Sequence, residues 1–201
     1  DVPASERNQD CKVGTVGLSL PGSGNAKINI SMLGLDQSAS SSVYYTSPTV
    51  ETSTGALVAA SGLLLAGGAS IATVTDLSLN IDGKEQLADA VVGANIRPDI
   101  FRGKVMVTGS FTAYFDSTTL ADNFRNETSM SLISVLATDL TATAKFISLT
   151  IAALDTNTCT PTDGEVGKKR SYSFVAEYNS AGGTGTGTEQ TTLYIQDSDA
   201  A

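Results

Sequence analysis

Histidine, the side chain most often used for proton transfer at neutral pH, does not occur in this 201-residue chain. Its absence removes Ser-His-Asp and Cys-His nucleophilic machinery, His-ligated zinc and an imidazole general base. The run Gly182-Gly183-Thr184-Gly185-Thr186-Gly187 superficially has the composition of a phosphate-cradling loop. A dinucleotide loop opens a helix, however, and the pattern over 191–195 is that of a strand, so a flexible hairpin loop is the expectation. Gly167-Lys168 lacks the glycine five positions upstream that a nucleotide-binding P-loop requires. The basic run Lys168, Lys169 and Arg170 therefore reads as a local patch or an intersubunit contact.

The acids Asp76, Asp82, Glu85, Asp89, Asp99, Asp116, Asp122 and Asp139 show neither calcium-loop spacing nor a metal dyad. Carboxylate pairs for glycoside chemistry assemble in space rather than in sequence, but the chain has no Trp to stack on a sugar ring. Solvated surface carboxylates are the simpler reading. Asn29-Ile30-Ser31 and Asn126-Glu127-Thr128 match the glycosylation triplet only weakly. Cys11 and Cys159 are the only cysteines; two separate thiols are expected, with one long-range bridge as the alternative. No catalytic residue, metal ligand or cofactor-binding residue emerges, and the chain reads as a non-enzyme without a cofactor.

Composition narrows the class further. Net charge is −9, from 12 basic and 21 acidic residues, so a protein that clamps phosphates is disfavoured. Only 16% of residues are charged, while 48 are Ser or Thr, a mixture that favours strands over helix bundles. The most apolar window, 56–69, is too short and too rich in Gly and Ser to span a bilayer, and no membrane partner is expected.

The elements follow from the period of the apolar residues. Val16, Leu18 and Leu20 alternate with polar or small neighbours, as do Ile28, Ile30 and Met32, and residues 21–25 form the turn between these two half-buried strands. The strongest alternation runs over 105–115, with Val107, Gly109, Phe111 and Ala113 on one face. Leu77, Leu79 and Ile81 define another strand, with Val74 out of phase, and further strands are expected at 130–136, 146–151, 172–178 and 191–195. Tyr172, Phe174 and Tyr178 are placed on one face. One helix, 117–126, is capped by Asp116 or Ser117 and packs through Leu120 and Phe124, because it is too short to stand alone in water. Loops are expected at 37–54 (Ser/Thr-rich), 84–103 and 179–189 (Gly/Thr-rich). The expected architecture is a single all-β domain over 1–201: a β-sandwich or partly open barrel of about eight strands with one short packed α-helix.

The stretch "ATVTDLSLNIDG" (72–83) followed by "VVGANIRPDIFRGKVMVTGSFTAYFDSTTLADNFRNET" (91–128) resembles the major tail tube proteins of long-tailed, non-contractile bacteriophages. The matching elements are Val91-Val92-Gly93, Pro98-Asp99-Ile100, the Gly103-to-Ser110 strand and the aromatic-Asp-helix segment after it. "GNAKINISMLGLDQSAS" (24–40) is similar to an upstream strand of that family, and the likeness runs in order across most of 12–196.

The resemblance implies a structural virion protein of the phage tail, assembled in the host cytoplasm. Its subunits would form hexameric rings stacked into a hollow tube that conducts DNA during ejection. The implied partners are further copies of the chain, the tape measure protein, the tail terminator and distal tail proteins, and passing DNA held without specific binding. A contact loop between subunits or rings is placed at Val92, Gly93, Arg97, Pro98, Asp99 and Ile100. The alternatives are another tail component on the same fold (terminator or distal tail protein) and a secreted β-sandwich glycan-binding module or adhesin.

Overall fold

The computed structural model describes residues 5–44, 47, 50, 57–66, 69–70, 74–114, 118–139, 141, 143–162, 168–183 and 189–199. In chain order its elements are β1 (Ser5–Gln9), β2 (Lys12–Pro21), β3 (Lys27–Leu33), β4 (Asp36–Ser40), β5 (Val58–Ala66), β6 (Ala69–Ser70) and β7 (Val74–Asp82). There follow β8 (Gln86–Leu87), β9 (Ile100–Phe101), β10 (Met106–Tyr114), α1 (Thr119–Arg125), β11 (Met130–Ala137), β12 (Phe146–Thr162), β13 (Lys169–Ala176) and β14 (Tyr194–Asp197). The protein is all-β with one short helix. The main sheet has the order β3-β2-β7-β10-β13-β12-β11-β5-β6, with β14 also paired to β12.

Two compact units divide the contacts, and the long strands β2, β3 and β7 contribute to both. The larger comprises 17–28, 55–81 and 106–201. Within it the sheet curls as a half-barrel, and one apolar cluster fills its inner face. Leu77 and Leu79 of β7, Val107, Phe111 and Ala113 of β10, and Tyr172, Phe174 and Ala176 of β13 are all buried there. Each set has the period of two that places alternate side chains on one face. The Phe111 ring stacks on Tyr172 with centroids 5.2 Å apart and meets Phe174 at 6.3 Å. Leu120 and Phe124 of α1 pack against the same cluster, as their four-residue spacing requires. Thr118 occupies the N-cap position without a side-chain cap bond; Asp116 and Ser117, the expected caps, lie outside the described residues.

β12 is seventeen residues long, well beyond the expected strand at 146–151. Two bulges explain why its pattern is hidden. Against β11, Met130 faces Leu154 while Leu132 faces Ile151, and against β13, Thr156 faces Phe174 while Thr158 faces Ser173. Each extra residue shifts the apolar phase by one position and bends the strand, which favours a curled sheet over a flat one. Leu149 and Ile151, then Leu154, then Cys159 are turned inward in succession.

Other expectations are corrected. Tyr178 lies beyond the end of β13 and is 60% exposed, so it does not share the buried face of Tyr172 and Phe174. The Gly/Thr-rich segment 179–189 joins β13 to β14, but β14 pairs with β12, so this segment is no hairpin turn. Its described ends are tied together: the Asn179 side-chain amide donates to the Glu189 carbonyl at 3.0 Å.

The smaller unit comprises 1–16, 29–54 and 82–105. It holds the β1–β4 ladder, in which Ser5 faces Ser40 and Gln9 faces Asp36, so the expected 37–54 loop begins as a strand. The Arg7 guanidinium lies over the Tyr44 ring, 4.6 Å from its centroid. Residues 84–103, expected as one loop, contain the short β8–β9 ladder. Cys11 and Cys159 are free thiols.

Candidate functional site

The 84–103 segment is fastened at its base and open at its tip. At the base, Leu87 faces Ile100 and Gln86 faces Phe101, and the Ala88 amide donates to the Asp99 carbonyl at 2.9 Å. Ile100 is buried, which anchors the returning strand through its side chain. The Asp99 carboxylate accepts the Ile100 amide at 2.7 Å and the Lys12 ammonium at 3.3 Å, and the same ammonium donates to the Ile100 carbonyl at 2.6 Å. These donors, the Ile100 amide first and Lys12 second, hold the Asp99 carboxyl below its usual value of 3.8. Arg97 reaches across the segment, donating to the Ala88 carbonyl at 2.7 Å.

Beyond this base the chain projects. Val91, Val92 and Ile96 are exposed, and Val92 has no cover from the rest of the chain (107% relative exposure). The turn closes with the Ala94 amide donating to the Val91 carbonyl at 3.3 Å. Gly93 sits at φ +88°, a conformation in which a Cβ is strained even though open space surrounds the position. Pro98 is exposed on the returning limb. Of the six residues expected to form a contact loop, Val92 and Gly93 are thus the tip, while Arg97, Asp99 and Ile100 hold its base. Lys12 belongs to this base and went unrecognised in the sequence, because nothing local links positions 12 and 99.

A second exposed apolar feature lies on β3, the terminal strand of the main sheet. Ile28, Ile30 and Met32 are each more than half exposed, although their alternation reads as a half-buried strand. On the opposite face of β3, Ser31 faces Thr15 of β2 with their hydroxyl oxygens 2.5 Å apart. Among the described residues β3 ends the main sheet, and an apolar row on such a terminal strand offers side chains and backbone to another chain.

The basic run has local partners. The Lys169 ammonium lies 4.8 Å from the centroid of the Tyr114 ring, and Arg170 approaches the Cys159 sulfur at 4.0 Å. Among the described residues no group of His, Cys, Asp and Glu is arranged to hold a metal ion. No described helix is long and apolar enough to cross a membrane.

No curated protein sequence matches the chain. A family model described as "Phage tail tube protein" matches residues 2–176, a range that takes in every element from β1 to β13 and both exposed apolar features. With most of its length matched, the chain belongs to the phage tail tube protein family.

Proposed function

We propose that this protein forms the tail tube of a long-tailed, non-contractile phage, as hexameric rings stacked into a conduit for DNA. Membership of the tail tube family implies self-assembly and a place in the virion tail; ring symmetry, stacking and conduction are the proposal. The observation that carries it is the apolar tip at Val91 and Val92, held out from the chain on a base of hydrogen bonds and a buried Ile100. A monomer gains nothing from exposing these side chains, whereas a neighbouring copy that covers them removes apolar surface from water. The β3 row of Ile28, Ile30 and Met32 supports a second contact of the same kind. A pairing between two β3 edges would close at two copies, so growth into rings calls for β3 to meet a different surface of its neighbour. The tape measure protein is the proposed occupant of the tube during assembly, and the terminator and distal tail proteins are the proposed caps of its ends.

Removal of residues 91–95, which spares the Asp99, Ile100 and Arg97 anchors, tests this reading. Negative-stain microscopy of concentrated wild-type protein is expected to show rings or tubes. The shortened chain is expected to remain folded by circular dichroism and to stay monomeric. Tubes of normal appearance from the shortened chain would exclude the tip as a contact.

A further inference from the structure

A small cavity lies where β11, β12 and β14 meet. Thr150 of β12 stands opposite Ile133 of β11 on one side and Tyr194 of β14 on the other, so three side chains form a row across three strands. Ala152 and Gln196, each two residues further along its own strand, line the same cavity, as alternation requires. The segment before β14 adds Glu189 and Thr191, which complete a lining around about 170 Å³. That segment is held through its backbone. Asn179, a buried polar residue, donates its side-chain amide to the Glu189 carbonyl at 3.0 Å and its backbone amide to the Thr191 carbonyl at 3.4 Å. Gly182 approaches so closely that a Cβ there would stand 2.4 Å from the same Glu189 carbonyl. A clamp that engages only the backbone of 189 and 191 spares their side chains for the cavity.

We infer that this cavity binds an alkylammonium group, a protonated primary amine on a short apolar stem, such as a lysine side chain or a free aliphatic diamine presents. The inference is independent of the tube reading, because Glu189, Thr191, Tyr194 and Gln196 lie beyond residue 176, where the family match ends. The one charged group of the lining is the Glu189 carboxylate, which has no ion-pair partner among the described residues. The Thr191 hydroxyl donates to the Leu193 carbonyl at 3.1 Å, so toward the cavity its oxygen only accepts. The Thr150 hydroxyl and the Gln196 side-chain carbonyl add acceptors for the three N–H donors of an ammonium. Tyr194 supplies an aromatic ring, whose face attracts cations. Ile133 and Ala152 carry no polar side-chain atom and suit an aliphatic stem. A metal ion would need more oxygen ligands than one carboxylate and a few neutral groups on an apolar floor provide. An anion would meet both the carboxylate and a net charge of −9. At about 30 Å³ per water, the volume equals roughly five or six waters, room for a stem and amine of about five non-hydrogen atoms.

Ligand-observed saturation-transfer NMR on the full chain tests this, because it reads binding to single chains and to assemblies alike. The probes are 1,4-diaminobutane and an Nα-acetyl-lysine methylamide whose backbone charges are blocked, each titrated at neutral pH and about 0.15 M salt. Saturable binding of at least one probe is expected, with 1-butanol, which has the stem without the charge, giving no saturable signal. Binding of the lysine analogue assigns the site to a lysine of another protein chain, whereas binding of the diamine alone assigns it to a free polyamine. Glu189→Gln keeps the backbone that Asn179 holds and is expected to weaken binding about tenfold or more, since a charge-assisted contact is lost. Glu127→Gln removes the same charge from an exposed position outside the lining and is expected to change nothing. Absence of saturable binding by both amines, equal binding of 1-butanol, or equal losses in the two variants would each overturn the inference.

Discussion

Two residues show how far a single side chain decides this structure. Phe111 is 2% exposed and meets both Tyr172 and Phe174, so its truncation leaves a cavity against these two rings. Phe111→Ala should lower stability by about 3–5 kcal/mol. Tyr114, on the opposite face of the same strand and 37% exposed, should cost clearly less when cut to alanine. Denaturant midpoints compare the two directly, and equal losses would contradict the assigned faces. Asp99 acts through charge. Its folded carboxyl titrates below the ordinary 3.8, first because of the Ile100 amide and then because of Lys12. A depressed pKa contributes stability that is present above the unfolded value and is lost as pH falls through the folded one. The base of the 84–103 segment should therefore hold at neutral pH and loosen only below about pH 3.8. A pH titration of the Ile100 amide resonance reads this at one site: a midpoint below 3.8 is expected, and one at or above it would remove the proposed role of these donors.

Gly109 is the clearest case of an element-level demand. It sits on the inward face of β10 between Val107 and Phe111, and a Cβ there would lie 2.4 Å from both the Phe174 ring and the Ser78 carbonyl. The neighbouring β7 backbone cannot retreat without breaking the sheet, so Gly109→Ala should destabilise by about 1–3 kcal/mol through overpacking. A melting temperature equal to wild type would show that β7 and the Phe174 ring yield more readily than this packing implies. Much of this element was legible in the sequence, since the alternation over 105–115 assigns strand, faces and core residues together. The strands around 77–81, 130–136 and 172–176 were legible for the same reason. The later half of β12 was not, because bulges near 152–153 and at Asn157 break the period on which such reading depends. Nor was the exposure of Ile28, Ile30 and Met32. Alternation reports that a strand has an apolar face, not whether its own chain covers that face. The contact loop was placed through family resemblance, and the division of its residues into tip and base needed the Lys12–Asp99 pairing, which is long-range.

For the whole molecule the governing quantity is charge. With 21 acids against 12 bases, the net charge of −9 gives a field that repels a polyanion. Lys169 and Arg170 are the nearest candidates for a phosphate contact, but Lys169 lies over Tyr114 and Arg170 is turned toward Cys159. The unassembled subunit should therefore show no binding to a fluorescent DNA duplex in anisotropy at micromolar protein and about 0.15 M salt, where non-specific DNA-binding proteins already associate measurably. Lowering the salt separates the two remaining cases. Proteins that hold DNA through cations gain affinity steeply as salt falls, whereas a protein that repels it gains none, because weaker screening strengthens the repulsion too. A rise in anisotropy at low salt would point to a basic surface outside this balance. Charge reversal of Lys168, Lys169 and Arg170 together would then show whether these three form it, and a conduit function would have to be abandoned if they did.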